Sequence, residues 1–336
     1  MILLDNKKDL LYIQWHITGV CNLKCKHCYQ LTNNRKDLTE KQLYDICDRI
    51  EELCAKLNSF IQLSMTGGEP LSSPYLFEIL NYIKNKRHIN SVLLMTNATL
   101  INDNIAFNLS EYSKPIIVQF SLEGPREIHE EIRGKGSFDL AIKGVKKLKE
   151  HKIRTACMMT LSKLNYKYIK NVVALLEELN VDIFSADRFI PTSNYEFNTL
   201  TLNKFQMKEA FETIKSIFNS GTKLEINTNR PLMVTLNEHN SNKLGAACAA
   251  GKVTFTILND GTLLPCRRLY LPLGNILSED LNNFWNTNET ICRLRNNGYL
   301  NNKCRNCVYE YGCGGCRAMA FAVNSDYLGE DPLCWV

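Results

Sequence analysis

Through the first two-thirds of the chain, short apolar runs alternate with stretches whose apolar positions recur at helical spacing. The runs at residues 12–18, 61–65, 92–96, 116–121, 154–160 and 182–185 read as strands. The segments 40–57, 74–86, 103–109, 138–150 and 166–179 read as helices. Strand then helix, repeated about six times, is the signature of an α/β fold with a parallel sheet and helices outside it. Thr39-Glu40-Lys41-Gln42 reads as a capping box, with Thr39 at the N-cap and Gln42 at N3. Ser73-Pro74 reads as an N-cap followed by proline at N1. After a loop at 191–201, a further helix is expected over 204–218. Asn259-Asp260-Gly261 between two strand-like runs signals a hairpin.

Open parallel sheets bind ligands at the carboxyl ends of their strands. The chemistry-bearing residues fall there: Cys21, Cys25 and Cys28 after the first strand, Gly67, Gly68, Glu69 and Pro70 after the second, Asn97 after the third, Ser121 to Gly124 after the fourth.

Composition narrows the class. The 336 residues, 45% hydrophobic, suffice for one large core and a smaller second unit. The boundary is expected near 237–244, because cysteines concentrate from Cys248 onward; the units are 1–240 and 241–336. The net charge of +5 is mild. Lys143, Lys146, Lys147 and Lys149 recur at helical spacing and read as a solvated face, so no nucleic-acid partner is expected. No run reaches the ~18 apolar residues of a membrane span. Asp5, Lys7, Lys8 and Asp9 interrupt any apolar signal core, so a cytoplasmic protein without membrane contact is expected. Fourteen cysteines in such a protein point to metal or redox chemistry rather than disulfides.

Cys21-x3-Cys25-x2-Cys28 places three thiols on a short loop, followed by Tyr29. Iron–sulfur cubanes generally take four cysteines. Three leave one iron open for an external ligand, and the amino and carboxylate groups of S-adenosylmethionine (SAM) suit it. Zinc, the alternative, usually shows CxxC pairs.

With this motif the chain resembles the radical SAM superfamily over nearly its whole length. The resemblance implies a partial (β/α)6 barrel, a [4Fe–4S] cluster on Cys21, Cys25 and Cys28, and SAM as cofactor. Gly67-Gly68-Glu69-Pro70 matches the second motif of the family, in which backbone carbonyls approach the methionyl ammonium and Glu69 supports its charge. Ser121 and Arg133 look like the pair that holds the SAM carboxylate; the alternative is that Arg133 belongs to a polar surface turn at 133–137. Asn97 is implied at the ribose, the run 188–191 at the adenine.

The C-terminal cysteines resemble a SPASM domain with two auxiliary [4Fe–4S] clusters. Cys304, Cys307, Cys313 and Cys334 are implied as ligands of an outer cluster, Cys248, Cys266 and Cys316 of an inner one. Only Gly314 and Gly315 separate Cys313 from Cys316, where the family has three residues, and no cysteine shortly precedes Cys248. The fourth inner ligand is then Cys292, a non-cysteine group or a substrate thiol. Five residues between Cys307 and Cys313 are too few for a zinc ribbon, in which about 15–20 separate the pairs. Cys47, Cys54 and Cys157 read as core thiols.

The resemblance implies hydrogen abstraction by a 5′-deoxyadenosyl radical, used to modify a peptide or protein through thioether or carbon–carbon crosslinks. The expected partners are that substrate, a reductase such as flavodoxin or ferredoxin, and a separate leader-peptide-binding protein, since 20 residues precede Cys21. Sulfatase maturases carry an Asp directly after the cysteine matching Cys266; here Arg267 and Arg268 follow it. The alternatives are a small-molecule or cofactor-precursor substrate, sulfatase-maturase-like oxidation, or a non-catalytic zinc or iron–sulfur module.

Overall fold

The computed structural model describes residues 10–30, 35–192, 194–237 and 244–336. Among them, nine strands form one sheet: β1 Leu10–His16, β2 Phe60–Thr66, β3 Ile89–Thr96, β4 Ile116–Ser121, β5 Arg154–Leu161, β6 Ile183–Arg188, β7 Glu225–Asn227, β8 Thr254–Ile257 and β9 Leu263–Leu264. Their order is β7-β6-β5-β4-β3-β2-β1-β8-β9. Every pairing is parallel except β8 with β9. The sheet is open, as a partial barrel requires.

Period-two alternation divides each strand between two environments. Ile13 and Trp15 of β1, Leu63 and Met65 of β2, Val118 and Phe120 of β4, and Phe184 and Ala186 of β6 join the main apolar core. The intervening positions are buried too, but many are polar: Gln14 and His16, Gln62 and Ser64, Gln119, and Ser185. Each fully buried apolar side chain such as Phe120 contributes roughly 1.5–3 kcal/mol. The apolar face therefore carries much of the stability, and the polar face is free to line a site.

The six expected strands form where the apolar runs placed them. β6 continues to Arg188, because Asp187 and Arg188 are charged residues that ion pairs hold at the strand end. β7 is a three-residue strand, too short to show in the sequence pattern. The Asn259–Gly261 hairpin forms, and β8 extends the sheet beyond β1. The expected boundary centres on residues 238–243, outside the described residues.

The helix Glu40–Lys56 carries the expected capping box, with the Thr39 N–H donating to Gln42 Oε1 at 3.0 Å. The helix Leu76–Ile83 begins later than the Ser73-Pro74 reading. Proline keeps Ser73 extended (φ −78°, ψ 128°), and a turn through Pro74 intervenes before Tyr75 takes the N-cap. A helix also spans Arg126–Arg133, and another, Asn194–Thr199, lies in the expected 191–201 loop. On Ser137–Glu150, Lys147 pairs with Glu150 and Lys149 with Asp182, each at 2.6 Å, as a solvated face would. Among the described residues no helix is long and apolar enough to cross a membrane.

Candidate active site

The carboxyl ends of β2 to β6 open into a cavity of about 610 Å3, lined on one side by Cys21, Cys25, Cys28, Tyr29, Gly67, Gly68, Glu69, Asn97, Ser121 and Arg133. Every barrel residue assigned to the cluster or to SAM therefore converges there except Pro70, which is buried behind Glu69 in the turn Pro70–Ser72.

The two glycines act on the cysteine loop itself. The Gly68 N–H donates to the Thr18 carbonyl (2.8 Å), and the Glu69 N–H to the Val20 carbonyl (2.7 Å). A Cβ on Gly67 would lie 2.4 Å from the Thr18 oxygen, and one on Gly68 only 2.2 Å from the Val20 oxygen. No side chain fits between these strands of backbone. Asp37 secures the loop from the other side, accepting from Thr18 Oγ1 (2.5 Å), the Gly19 N–H (2.7 Å) and Asn259 Nδ2 (2.7 Å). Asn97 donates from Nδ2 to Asn22 Oδ1 (2.9 Å), and its own Oδ1 accepts from the Thr99 N–H (2.9 Å). Its amide thus anchors the cysteine loop. Glu69 accepts from Thr96 Oγ1 (2.6 Å), the Asn97 N–H (2.7 Å) and the Leu71 N–H (3.2 Å), while burial pushes its carboxyl above the ordinary range.

Arg133, the last residue of its helix, is not a surface residue. Its side chain is 11% exposed, and its Nε and Nη2 donate to Glu123 Oε1 at 3.0 and 2.6 Å. Its Nη1 lies 3.9 Å from Cys25 Sγ. Glu123 is fully buried; Oε2 accepts from the Thr160 N–H (2.9 Å), and His27 Nε2 stands 3.6 Å from Oε1. Burial alone would raise this carboxyl, but the Arg133 charge prevails and holds it below the ordinary value. Burial holds His27 neutral, its pKa lowered to about 4. Glu123 was not singled out from the sequence, although it stands two residues after Ser121 as an acid closing an apolar strand.

A second wall comes from β6 and from the segment after β9. Asp187 Oδ2 accepts from Arg268 Nη2 (2.7 Å) and lies 3.1 Å from Arg230 Nε. These guanidinium charges outweigh burial and hold Asp187 well below the usual range. Phe189, Ile190 and Pro191 line the cavity, whereas the Arg188 side chain turns away to Asp331 (2.7 Å). Arg267 reaches Gln14 Oε1 at 3.3 Å and Met95 Sδ at 3.7 Å.

Cys304, Cys307, Cys313 and Cys334 together line a second, smaller cavity. Cys313 Sγ accepts from the Leu232 and Gly315 N–H groups at 3.2 and 3.3 Å, contacts that partly offset the burial that pushes its thiol up. Gly314 and Gly315 both take left-handed φ values, 60° and 63°, which lets two residues turn the chain between Cys313 and Cys316. That geometry absorbs the short spacing seen in the sequence. Cys316 lies outside the second cavity; its N–H donates to Asp331 Oδ2 (2.8 Å), and burial pushes its thiol up to about 12. The Cys248 N–H donates to the Cys313 carbonyl (3.2 Å), tying the two sets together. Cys292 is exposed, with its thiol on the Asn286 carbonyl (3.4 Å), and lines neither cavity. Cys47, Cys54 and Cys157 are core thiols, as expected.

Among the described residues no three His, Cys, Asp or Glu side chains converge tightly enough to hold a single metal ion. A cubane takes one thiolate per iron and asks for wider placement. Three free thiols at the mouth of one cavity and four around another fit such groups.

A family model described as the Radical SAM superfamily matches residues 15–176, and one described as an iron-sulfur cluster-binding domain, SPASM, matches residues 248–308. The chain thus carries a radical SAM domain and a SPASM domain, and its cofactors are a [4Fe–4S] cluster, SAM and auxiliary iron–sulfur clusters. It is 27% identical to the AdoMet-dependent heme synthase of Methanosarcina barkeri (strain Fusaro / DSM 804), over 99% of this chain and 98% of that one. It is 25% identical to the mycofactocin maturase MftC of Mycolicibacterium smegmatis, over 96% of this chain and 82% of that one. Among solved structures, SuiB of Streptococcus suis bound to S-adenosylmethionine superposes with a TM-score of 0.77 at 21% identity, covering 97% of this chain and 77% of that one. Native anSMEcpe with AdoMet and the Cp18Cys peptide gives 0.76 at 22% identity, covering 97% and 94%.

Proposed function

We propose that this protein abstracts a hydrogen atom from a peptide or protein substrate bound in the main cavity, next to a cluster on Cys21, Cys25 and Cys28. One observation carries this: a single cavity joins the three thiols, Gly68, Glu69, Ser121 and Arg133 on one wall to Arg267 and Arg268 on the other. When bound, the reduced cluster and SAM supply a 5′-deoxyadenosyl radical. The chain's own residues position and exclude. Gly67 and Gly68 fix the thiol loop by close backbone contact. Arg133, oriented by Glu123, offers its remaining N–H groups to a carboxylate. Ser121, at the end of β4, stands on the same wall. Cys304, Cys307, Cys313 and Cys334 hold an outer auxiliary cluster, and Cys248, Cys266 and Cys316 an inner one. The solved complex of SuiB with its precursor peptide SuiA, and the peptide complexes of anSMEcpe, support a peptide as substrate through likeness of fold.

A second reading, a small cofactor precursor, is supported by the heme synthase relative, which aligns over nearly its full length, and by the cationic far wall. Formation of 5′-deoxyadenosine from SAM by the cluster-loaded protein with dithionite tests the shared claim. Its absence, with candidate peptides and porphyrin precursors both supplied, contradicts the proposal. Deuterium transfer from one labelled substrate into 5′-deoxyadenosine decides between the readings.

A further inference from the structure

Four arginines border the main cavity: Arg133, Arg267 and Arg268, and also Arg188, whose side chain turns away from it. Three have a carboxylate: Arg133 has Glu123, Arg188 has Asp331 and Arg268 has Asp187. Arg267 forms no ion pair among the described residues; its contacts are the neutral Gln14 Oε1 of β1 and Met95 Sδ of β3. Gln14 is 4% exposed, and its Nε2 is buried with no hydrogen-bond partner. Arg267 therefore lines the cavity without a carboxylate, and behind it lies a buried amide whose Nε2 has no acceptor. Leaving such donors unmatched is costly in a low-dielectric setting, and an anionic ligand removes the cost. A planar guanidinium suits a carboxylate in particular.

We propose that Arg267, with Gln14 beside it, is the anchor for a carboxylate on the substrate and selects acidic substrates over their neutral analogues. This rests on the reading of the cavity as the substrate chamber. It applies whether the carboxylate is an acidic side chain of a peptide or a substituent of a small molecule.

The test measures binding to the cluster-loaded protein with SAM present and no reductant. One arm compares protoporphyrin IX with its dimethyl ester. The other compares a fluorescein-labelled, end-blocked hexapeptide carrying one glutamate with its glutamine analogue. The acid form should bind about 10- to 100-fold more tightly in one arm, which identifies the source of the carboxylate. Arg267→Leu should bring that ratio close to one, and Arg267→Lys should retain part of it. Equal binding of acid and neutral forms in both arms, no binding included, overturns the proposal. So does an acid preference that survives Arg267→Leu. A third overturning result is a change confined to the reduction potential of an auxiliary cluster, which would assign Arg267 to balancing charge near Cys266. A protein that shows the acid preference but makes no 5′-deoxyadenosine would instead sink the proposed function alone.

Discussion

The two walls of the main cavity are built on opposite principles. On the cysteine wall, close backbone contact and one buried ion pair leave little unsatisfied: Gly68 lies against Val20, Asn97 binds Asn22, and Arg133 is matched by Glu123. On the far wall, guanidinium groups outnumber carboxylates, and Arg267 is left over. The first wall is finished so that a cofactor always meets the same geometry. The second is incomplete in a way that a substrate can complete. A fixed chemistry and a variable substrate make those different demands on one chamber.

Breaking the cysteine wall should have the largest effect. Cys25→Ser should reduce 5′-deoxyadenosine formation to background and remove about four irons per chain, measured by chromatography and iron analysis. Glu123→Gln comes next. It leaves Arg133 charged and mostly buried without its carboxylate, which should cost about 3 kcal/mol in urea unfolding. The acid limb should respond too. Glu123 titrates below its unfolded value of about 4.3. As pH falls, the unfolded chain therefore takes up the proton first. The stability from this group is full above about pH 5 and drains as the pH drops through the folded value, so the variant's stability should vary less steeply with pH there.

Gly68→Ala should cost about 2 kcal/mol or more, because its Cβ meets the Val20 carbonyl rather than a movable side chain. The loop must shift, so iron content should fall along with stability. Cys307→Ser should do least to SAM cleavage. It removes a thiol from the second cavity, and 5′-deoxyadenosine formation should stay within a few-fold while about four irons are lost. If Cys307→Ser abolished SAM cleavage as Cys25→Ser does, the two cavities would be one functional unit and the contrast between them would fail.

The cysteine wall was legible in the sequence and the charge pairing of the far wall was not, for a physical reason. Cys21, Cys25, Cys28, Gly67 and Gly68 act through local spacing or backbone contact, which leaves a short motif. Strands β1 to β6 were legible because their runs are apolar and regularly spaced. Glu123 could be read only as part of the segment beginning at Ser121, since its partner Arg133 comes from a helix whose polar sequence, Arg126–Arg133, resembles a loop. Asp187 and Asp331 act on arginines that are distant in sequence; Arg188 and Asp331 are 143 residues apart. No local pattern announces such a pair. The reading of Arg267 and Arg268 as a missing base caught the right residues, while the partner that Arg268 finds, and Arg267 lacks, appears only in the fold.

The contrast between the two cavities requires one cluster for SAM and two auxiliary clusters on this chain. Quantifying iron, acid-labile sulfide and zinc in protein purified without oxygen, wild type beside Cys25→Ser and Cys307→Ser, tests it most directly. The wild type should hold about twelve irons with matching sulfide, and each variant about four fewer. Zinc without sulfide, or an iron content that neither substitution lowers, would contradict it.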